Sequence, residues 1–179
     1  MNELKNPYGL KNSKTGRLVL SAMFCALTFV ATYFSIPAPV IGNVNLGDGI
    51  LLIGSWTLGL PWALSCALGA MLADLVSGYV PYAPATLIIK MGMVVVAVIL
   101  RNVLKKTNLP ALAQRLLSAL AAEMVMVVGY FAFEAIFARF LFPSVTTASL
   151  VAPIGNLPFN LVQALIAIFL SSLLTVRRK

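Results

Sequence analysis

The sequence predicts an all-α membrane protein, a bundle of six transmembrane helices with both termini in the cytoplasm. The first observation behind this prediction is composition: of 179 residues, 60% are hydrophobic and 10% are charged, and the mean hydropathy is +0.96. A soluble domain has roughly 45–50% apolar and about 25% charged residues, and one of this size has too little interior to hide the excess. The second observation is that long uncharged runs alternate with short basic clusters. We therefore expect most of the chain to lie in lipid.

Missing residue types exclude several classes of function. Histidine is absent, which removes histidine bases, triads and metal ligands. Cys25 and Cys66 are 41 positions apart, too far for a CxxC site, and neither a GxxxxGK[ST] phosphate loop nor a nucleophile–base pair is visible. The net charge of +8 comes from basic clusters between apolar runs, which we interpret as topology signals. We expect no enzymatic activity, metal, cofactor or nucleic-acid partner.

Four apolar runs are long enough to cross the roughly 30 Å hydrocarbon core of a bilayer. The first has 19 uncharged residues, whereas the apolar region of a signal peptide has about 7–15, so we interpret it as a retained helix. The polar residues 1–16 are predicted to form a cytoplasmic tail, and residues 17–179 the membrane domain. The four runs are Leu18–Ile36, Pro84–Leu100, Leu116–Ala138 and Pro158–Val176.

The uncharged stretch Gly49–Ala73 is interpreted as parts of two short helices. It contains Gly59-Leu60-Pro61, and proline disfavours helical geometry in the residue before it. Eleven of the 13 basic residues fall in three clusters, at residues 5–17, 101–115 and 177–179. The positive-inside rule places all three in the cytoplasm, which requires an even number of crossings between neighbouring clusters. Two helices split at Gly59–Pro61 satisfy this count, with the second span at Leu46–Gly59. A re-entrant hairpin is the alternative.

This topology places nearly all polar residues of the spans in the external half of the bundle. Charged groups inside a membrane cost at least about 2.5–3.5 kcal/mol on insertion scales and are functional candidates. Their shared depth favours a pocket that opens outward, in which tyrosines stack on a heteroaromatic ring and polar groups bind its substituents. The internal half holds Glu123, whose role is open. The candidate substrate-binding residues are Asn45, Asp48, Asp74, Tyr79, Tyr82, Lys90, Glu134, Asn156 and Asn160.

Each candidate also has a structural interpretation. Lys90 is predicted to pair with Asp74, with the ligand, or with both, and an Asp74–Lys90 ion pair alone could join two spans. The other interpretations are local. Asp48 could cap a helix, and Glu134 could pair with Arg139 at the interface. Asn156 could mark a helix start, and Tyr79 with Tyr82 could belong to the interfacial aromatic belt.

Small residues four positions apart put small side chains on one face of a helix, where another helix can approach closely. We single out three such pairs, of which the two on the third span are predicted to pack inside the bundle. The pair on the first span is equally compatible with internal packing and with contact to another protein. The pairs are Ala22/Ala26, Ala63/Ala67 and Gly69/Ala73.

Motifs between Asn45 and Gly92 resemble the substrate-binding (S) components of energy-coupling factor (ECF) vitamin transporters, in particular the riboflavin, pyridoxine and thiamine-precursor branches. In length, span number and topology the similarity extends over nearly the whole chain. The absence of histidine and of a tryptophan-rich pocket argues against thiamine itself. The motifs are Asn45-Leu46-Gly47-Asp48, Gly59-Leu60-Pro61, Ala73-Asp74, Tyr79–Pro84 and Leu87-Ile88-Ile89-Lys90.

The resemblance implies a bundle that captures a vitamin near the external face of a bacterial or archaeal plasma membrane. It implies as partners a membrane coupling subunit, docked on the AxxxA motif at Ala22 and Ala26, and two ATPase subunits. It also implies that Pro37–Asn45 is a lid over the ligand. The rival hypothesis is a stand-alone proton- or cation-coupled permease with Asp74, Glu123 or Glu134 as the titrating group.

Overall fold

A computed structural model describes the backbone of residues 13–37, 43–141 and 148–176. Within these ranges the chain forms six α-helices and one antiparallel pair of two-residue strands. The predicted all-α, six-helix fold is therefore confirmed. The elements are α1 (Lys14–Tyr33), β1 (Ile36–Pro37), β2 (Asn43–Val44), α2 (Gly47–Leu58), α3 (Leu64–Val76), α4 (Ala83–Leu104), α5 (Ala111–Leu141) and α6 (Ala148–Val176).

Short connections between contacting helices make successive helices antiparallel neighbours. We call the end at which α1, α3 and α5 finish the outer end, and the opposite end the inner end. The predicted orientation, with the inner end in the cytoplasm, stays a prediction. Most of the predicted tail (residues 1–16) and of the predicted lid (residues 37–45) lies outside the described residues, and α1 begins at Lys14.

Four helices contain segments long and apolar enough to span a membrane: Lys14–Tyr33, Ala83–Leu104, Ala111–Phe137 and Pro153–Leu174. The other two, α2 and α3, have 12 and 13 residues, or about 18 and 20 Å. The shorter helix, α2, lies among α1, α3, α4 and α6, and its Leu51 and Leu52 are fully buried. Its neighbours therefore shield it from lipid.

Glycines end both short helices. Gly59 follows α2 with a φ of 68°, and Gly78 lies between α3 and α4 with a φ of 86°. Both values are in the left-handed region, where a Cβ atom is strained. The predicted break at Gly59–Pro61 is confirmed.

Small residues allow α1 and α3 to pack closely. A Cβ atom at Gly69 would collide with the backbone carbonyl of Cys25, and Ala63, Ala67 and Ala73 are fully buried. This confirms that the small pairs of the third span pack inside the bundle. In contrast, Ala22 and Ala26 are exposed on α1.

The last helix starts earlier than predicted. Helix α6 begins at Ala148 and contains both Pro153 and Pro158, so Asn156 and Asn160 are internal to the helix. The prediction that the last span begins at Pro158, and the interpretation of Asn156 as a helix start, were wrong. Proline is tolerated within membrane helices because neighbouring groups satisfy the freed carbonyl.

Single-cysteine labelling is expected to place Leu60 on the cytoplasmic side and Val80 on the external side. The two residues lie at opposite ends of α3 and are 40% and 55% exposed. With Cys25 and Cys66 replaced by alanine, Val80→Cys should react with an impermeant reagent in intact cells, and Leu60→Cys only after permeabilisation. The reverse pattern would invert the orientation, and protection of Leu60→Cys from both sides would indicate a re-entrant hairpin.

Candidate functional site

Buried polar side chains from α2 to α6 gather in the outer half of the bundle. They share a similar depth because α2, α4 and α6 begin at the outer end and α3 and α5 finish there. Of the nine predicted binding residues, Tyr79 and Asn160 are half-buried, and the rest are at most 7% exposed. These buried residues are Asn45, Asp48, Asp74, Tyr82, Lys90, Glu134 and Asn156.

Lys90 forms a buried ion pair with Asp48. Lys90 Nζ donates to Oδ1 of Asp48, and the two side chains are 2% and 1% exposed. Asp48 reaches Lys90 because it lies in the first turn of α2, which packs against α4. The ring centroid of Tyr130 lies 5.4 Å from Lys90 Nζ, within the range of a cation–π interaction. The predicted ion pair of Lys90 with Asp74 was therefore wrong.

Gln163 of α6 joins Asp48 to the segment that precedes α2. Its Nε2 donates to Oδ2 of Asp48 at 2.6 Å, and its Oε1 accepts from the backbone N–H of Asn45 at 2.9 Å. Oδ1 of Asn45 accepts from the Gly47 N–H at 2.9 Å, one of the amides that a helix start leaves unpaired. The capping interpretation of Asp48 was wrong, because Asp48 binds α4 and α6 and Asn45 bonds the helix start.

Asp74, in the last turn of α3, binds α4 through Thr86. The Thr86 hydroxyl donates to Oδ2 of Asp74, and the Tyr130 hydroxyl lies 2.9 Å from that of Thr86. Because Thr86 has one hydroxyl proton, Tyr130 is the donor of the second bond. Thr86 precedes Lys90 by four residues, so both lie on one face of α4. Two polar groups, Asp74–Thr86–Tyr130 and Lys90–Asp48–Gln163, therefore meet at Tyr130.

Glu134 and Tyr82 keep unused hydrogen-bonding capacity. Asn156 Nδ2 donates to Oε1 of Glu134 at 3.0 Å, while Oε2 of Glu134 and the Tyr82 hydroxyl have no partner among the described residues. The Tyr82 ring packs edge-on against Phe133, with centroids 5.2 Å apart. Buried polar atoms without partners are costly, so a ligand that bonds them would be favoured here. The side chain of Arg139, the predicted partner of Glu134, lies outside the described residues.

Glu123 of α5 adjoins the same group of charges. It is 1% exposed, and neither carboxyl oxygen has a hydrogen-bond partner in the described part of the chain. Its electrostatic neighbours are Asp48 and Lys90. Glu123 is therefore not isolated in the internal half but borders the Lys90–Asp48 pair.

The predicted binding residues did not include Gln163, Thr86 or Tyr130, which bond or contact them. Gln163 follows Asn156 by seven residues, or about two helical turns, so the two form one polar stripe on α6. Thr86 lies one turn before Lys90 on α4. The prediction was based on charged groups and on polar residues near the ends of the spans, whereas a search for polar residues that recur along one helix face would have found Gln163 and Thr86.

The arrangement has the features of a site for a small polar ligand. No three histidine, cysteine or acidic side chains are grouped closely enough for a metal in the described ranges. Among the described side chains of the outer half, the carboxyls of Asp48, Asp74 and Glu134 outnumber the single ammonium group of Lys90. The site combines donors, acceptors and tyrosine rings within an apolar bundle, as binding pockets for small molecules do.

Comparison with known proteins identifies the class. The family model described as "ECF-type riboflavin transporter, S component" matches residues 12–178, and the chain belongs to that family. Its members are vitamin-binding membrane subunits that work with an ECF module of membrane and ATPase subunits. The chain is thus a multi-pass cell-membrane protein and a transporter subunit, not an enzyme.

A solved structure shows the same fold. It is described as "Structure and mechanism of the S component of a bacterial ECF transporter", and it is 20% identical with a TM-score of 0.69. The similarity covers 92% of this chain and 96% of that one. No curated protein matches the chain.

Proposed function

We propose that this chain captures riboflavin from outside the cell and that the outer-half polar site is where it binds. The observation that carries the proposal is the family match over residues 12–178. Riboflavin has a flat ring with donors and acceptors on one edge and a chain of hydroxyl groups. The unused Tyr82 hydroxyl and Glu134 carboxyl oxygen are suited to bonding such hydroxyls.

The charge of the site supports an uncharged ligand. Lys90 is already paired with Asp48, while the buried carboxyl groups of Asp74 and Glu134 form no ion pair among the described residues. A phosphate group would add negative charge to this low-dielectric environment, in which no described cation is free to balance it. Free riboflavin suits the site better than its phosphorylated form, FMN.

The purified protein is expected to bind riboflavin at least about tenfold more tightly than FMN, a difference of about 1.4 kcal/mol. Titration with quenching of flavin fluorescence measures both affinities. Glu134→Gln keeps an acceptor for Asn156 but removes one negative charge, so it should reduce the preference for riboflavin over FMN. Equal or tighter binding of FMN by the unmodified protein would contradict the proposed site, and another co-purifying vitamin would contradict riboflavin.

We also propose that a membrane coupling subunit docks on α1 at Ala22 and Ala26, and that two ATPase subunits power it. The residues of α1 that face the bundle are Gly16, Ser21, Thr28 and Thr32, whereas the two alanines are exposed. Small exposed side chains one turn apart let a partner helix come close.

One observation favours the stand-alone permease as a second candidate: the buried carboxyl group of Glu123 has no hydrogen-bond partner among the residues that the structure describes. Intramembrane carboxyls of this kind relay protons in transporters. The protein alone in vesicles with an imposed proton gradient is nevertheless expected to bind riboflavin without accumulating it. Accumulation that is lost in Glu123→Gln would establish the permease instead.

A further inference from the structure

A cavity of about 220 Å³ lies at the inner end, between the last turn of α2 and the last turns of α4. It is at the opposite end of the bundle from the proposed vitamin site. Its lining includes Trp56 and Gly59 from α2 and its following turn, Arg101 and Asn102 from the last turn of α4, and Lys105 directly after that helix. Its volume is below the roughly 300–1,000 Å³ of pockets for drug-sized molecules, so it suits a single small group.

The cavity carries unbalanced positive charge. Arg101 and Lys105 are four positions apart at the end of α4 and both line it, and none of its lining residues is acidic. Arg101 and Lys105 repel each other, and Arg115 adds to the repulsion at Arg101. Residues 101–115 contain no aspartate or glutamate. A bound anion would relieve this repulsion.

Arg101 is held in position for such an anion. Its Nη1 donates to the backbone carbonyl of Trp56 at 2.8 Å, and its guanidinium carbon lies 5.6 Å from the Trp56 ring centroid. One hydrogen bond and one aromatic contact hold the guanidinium group in place. Because a guanidinium has five N–H donors in all, donors remain for an anion.

The position of the cavity indicates the source of the anion. Ile99, three residues before Asn102 on α4, is 53% exposed, so an apolar surface for lipid tails adjoins the rim of the cavity. Guanidinium groups favour phosphate because its oxygens accept two parallel hydrogen bonds. We propose that the cavity binds the phosphate group of an anionic phospholipid whose tails lie along α4.

Native mass spectrometry of the intact chain tests the proposal, after extraction from vesicles of equal phosphatidylglycerol and phosphatidylcholine. The unmodified protein should retain phosphatidylglycerol preferentially. Arg101→Gln with Lys105→Gln should retain at least about tenfold less, because the charge-assisted bonds from both residues to the phosphate group are lost. The matched control is Lys14→Gln with Lys106→Gln, which removes the same charge at the inner end outside the cavity lining, and it should lose little.

Three results would overturn the proposal. Equal losses of phosphatidylglycerol from the two double variants would show that the lipid is attracted to the basic inner end as a whole and not to the cavity. Displacement of the lipid by millimolar inorganic phosphate would show a site for free anions. Equal retention of the two lipids by the unmodified protein would show no anion preference. Lys105→Gln alone keeps the Arg101–Trp56 bond, so a severalfold loss in that variant separates the lost charge from misfolding.

Discussion

Replacing Lys90 with methionine is expected to lower the free energy of unfolding by about 3–5 kcal/mol, because it leaves Asp48 buried without its cation. Asp48 would keep the bond from Gln163, and a single amide compensates poorly for a buried carboxylate. Riboflavin binding should weaken at least about tenfold, or about 1.4 kcal/mol, since the variant removes an ammonium group beside the proposed site. Thermal unfolding in detergent and fluorescence titration measure the two effects.

A second substitution separates the cost of the orphaned charge from the loss of Lys90. Asp48→Asn in the Lys90→Met background removes the unpaired charge while the amide oxygen still accepts from Gln163, so most of the stability should return. Lys106→Met, at an exposed inner-end position, should change stability by less than about 0.5 kcal/mol. Unchanged stability in Lys90→Met would contradict the ion pair. If folded Lys90→Met bound riboflavin with unchanged affinity, the role of Lys90 would be purely structural.

Ala22→Trp combined with Ala26→Trp is expected to abolish transport by the assembled complex. Lipid provides no hydrophobic drive for helices to associate, so close contact of backbones must supply the attraction. Two indole rings on the exposed face of α1 would hold a partner helix away. Riboflavin binding by the isolated subunit should change little, because both alanines point away from the bundle. Co-purification with the coupling subunit, uptake and binding are measured on the same variant.

The matched control places the same bulk elsewhere on the lipid-facing surface. Leu120 and Met124 are one turn apart on α5 and are 52% and 49% exposed. Replacing both with tryptophan should leave assembly and uptake intact. Uptake by the α1 variant would show that these alanines do not form the docking surface. If that variant lost riboflavin binding as well, the assumption that α1 tolerates bulk on this face would be wrong.

The number and order of the helices could be predicted because charge and proline act locally. An even number of crossings between the basic clusters required a break in Gly49–Ala73 at Gly59–Pro61, and α2 and α3 do separate there. The same use of proline failed at Pro158, which lies inside α6. A backbone in lipid has no water to bond, so a helix persists through a proline that would end it in a soluble protein.

The depth of the candidate residues could be predicted, but their partners could not. Counting along a span gives the height of Lys90 above the bilayer centre. Which carboxyl it meets depends on how α2 and α3 are rotated about their axes, and this is set by packing among all the helices. Asp48 meets Lys90 because α2 lies in the centre of the bundle. The proposed roles of these residues in binding remain predictions.

The shortness of α3 also affects the surrounding bilayer. Unlike α2, this helix exposes apolar side chains, among them Leu68, Leu72 and Leu75 at 41–46%. Its helical length of about 20 Å falls roughly 10 Å short of the hydrocarbon core. Such hydrophobic mismatch costs fractions of a kcal/mol per Å and is met by local thinning or by oligomerisation. We therefore expect the bilayer to be thinner beside α3, and a neighbouring protein with an equally short apolar surface would share the cost of that deformation.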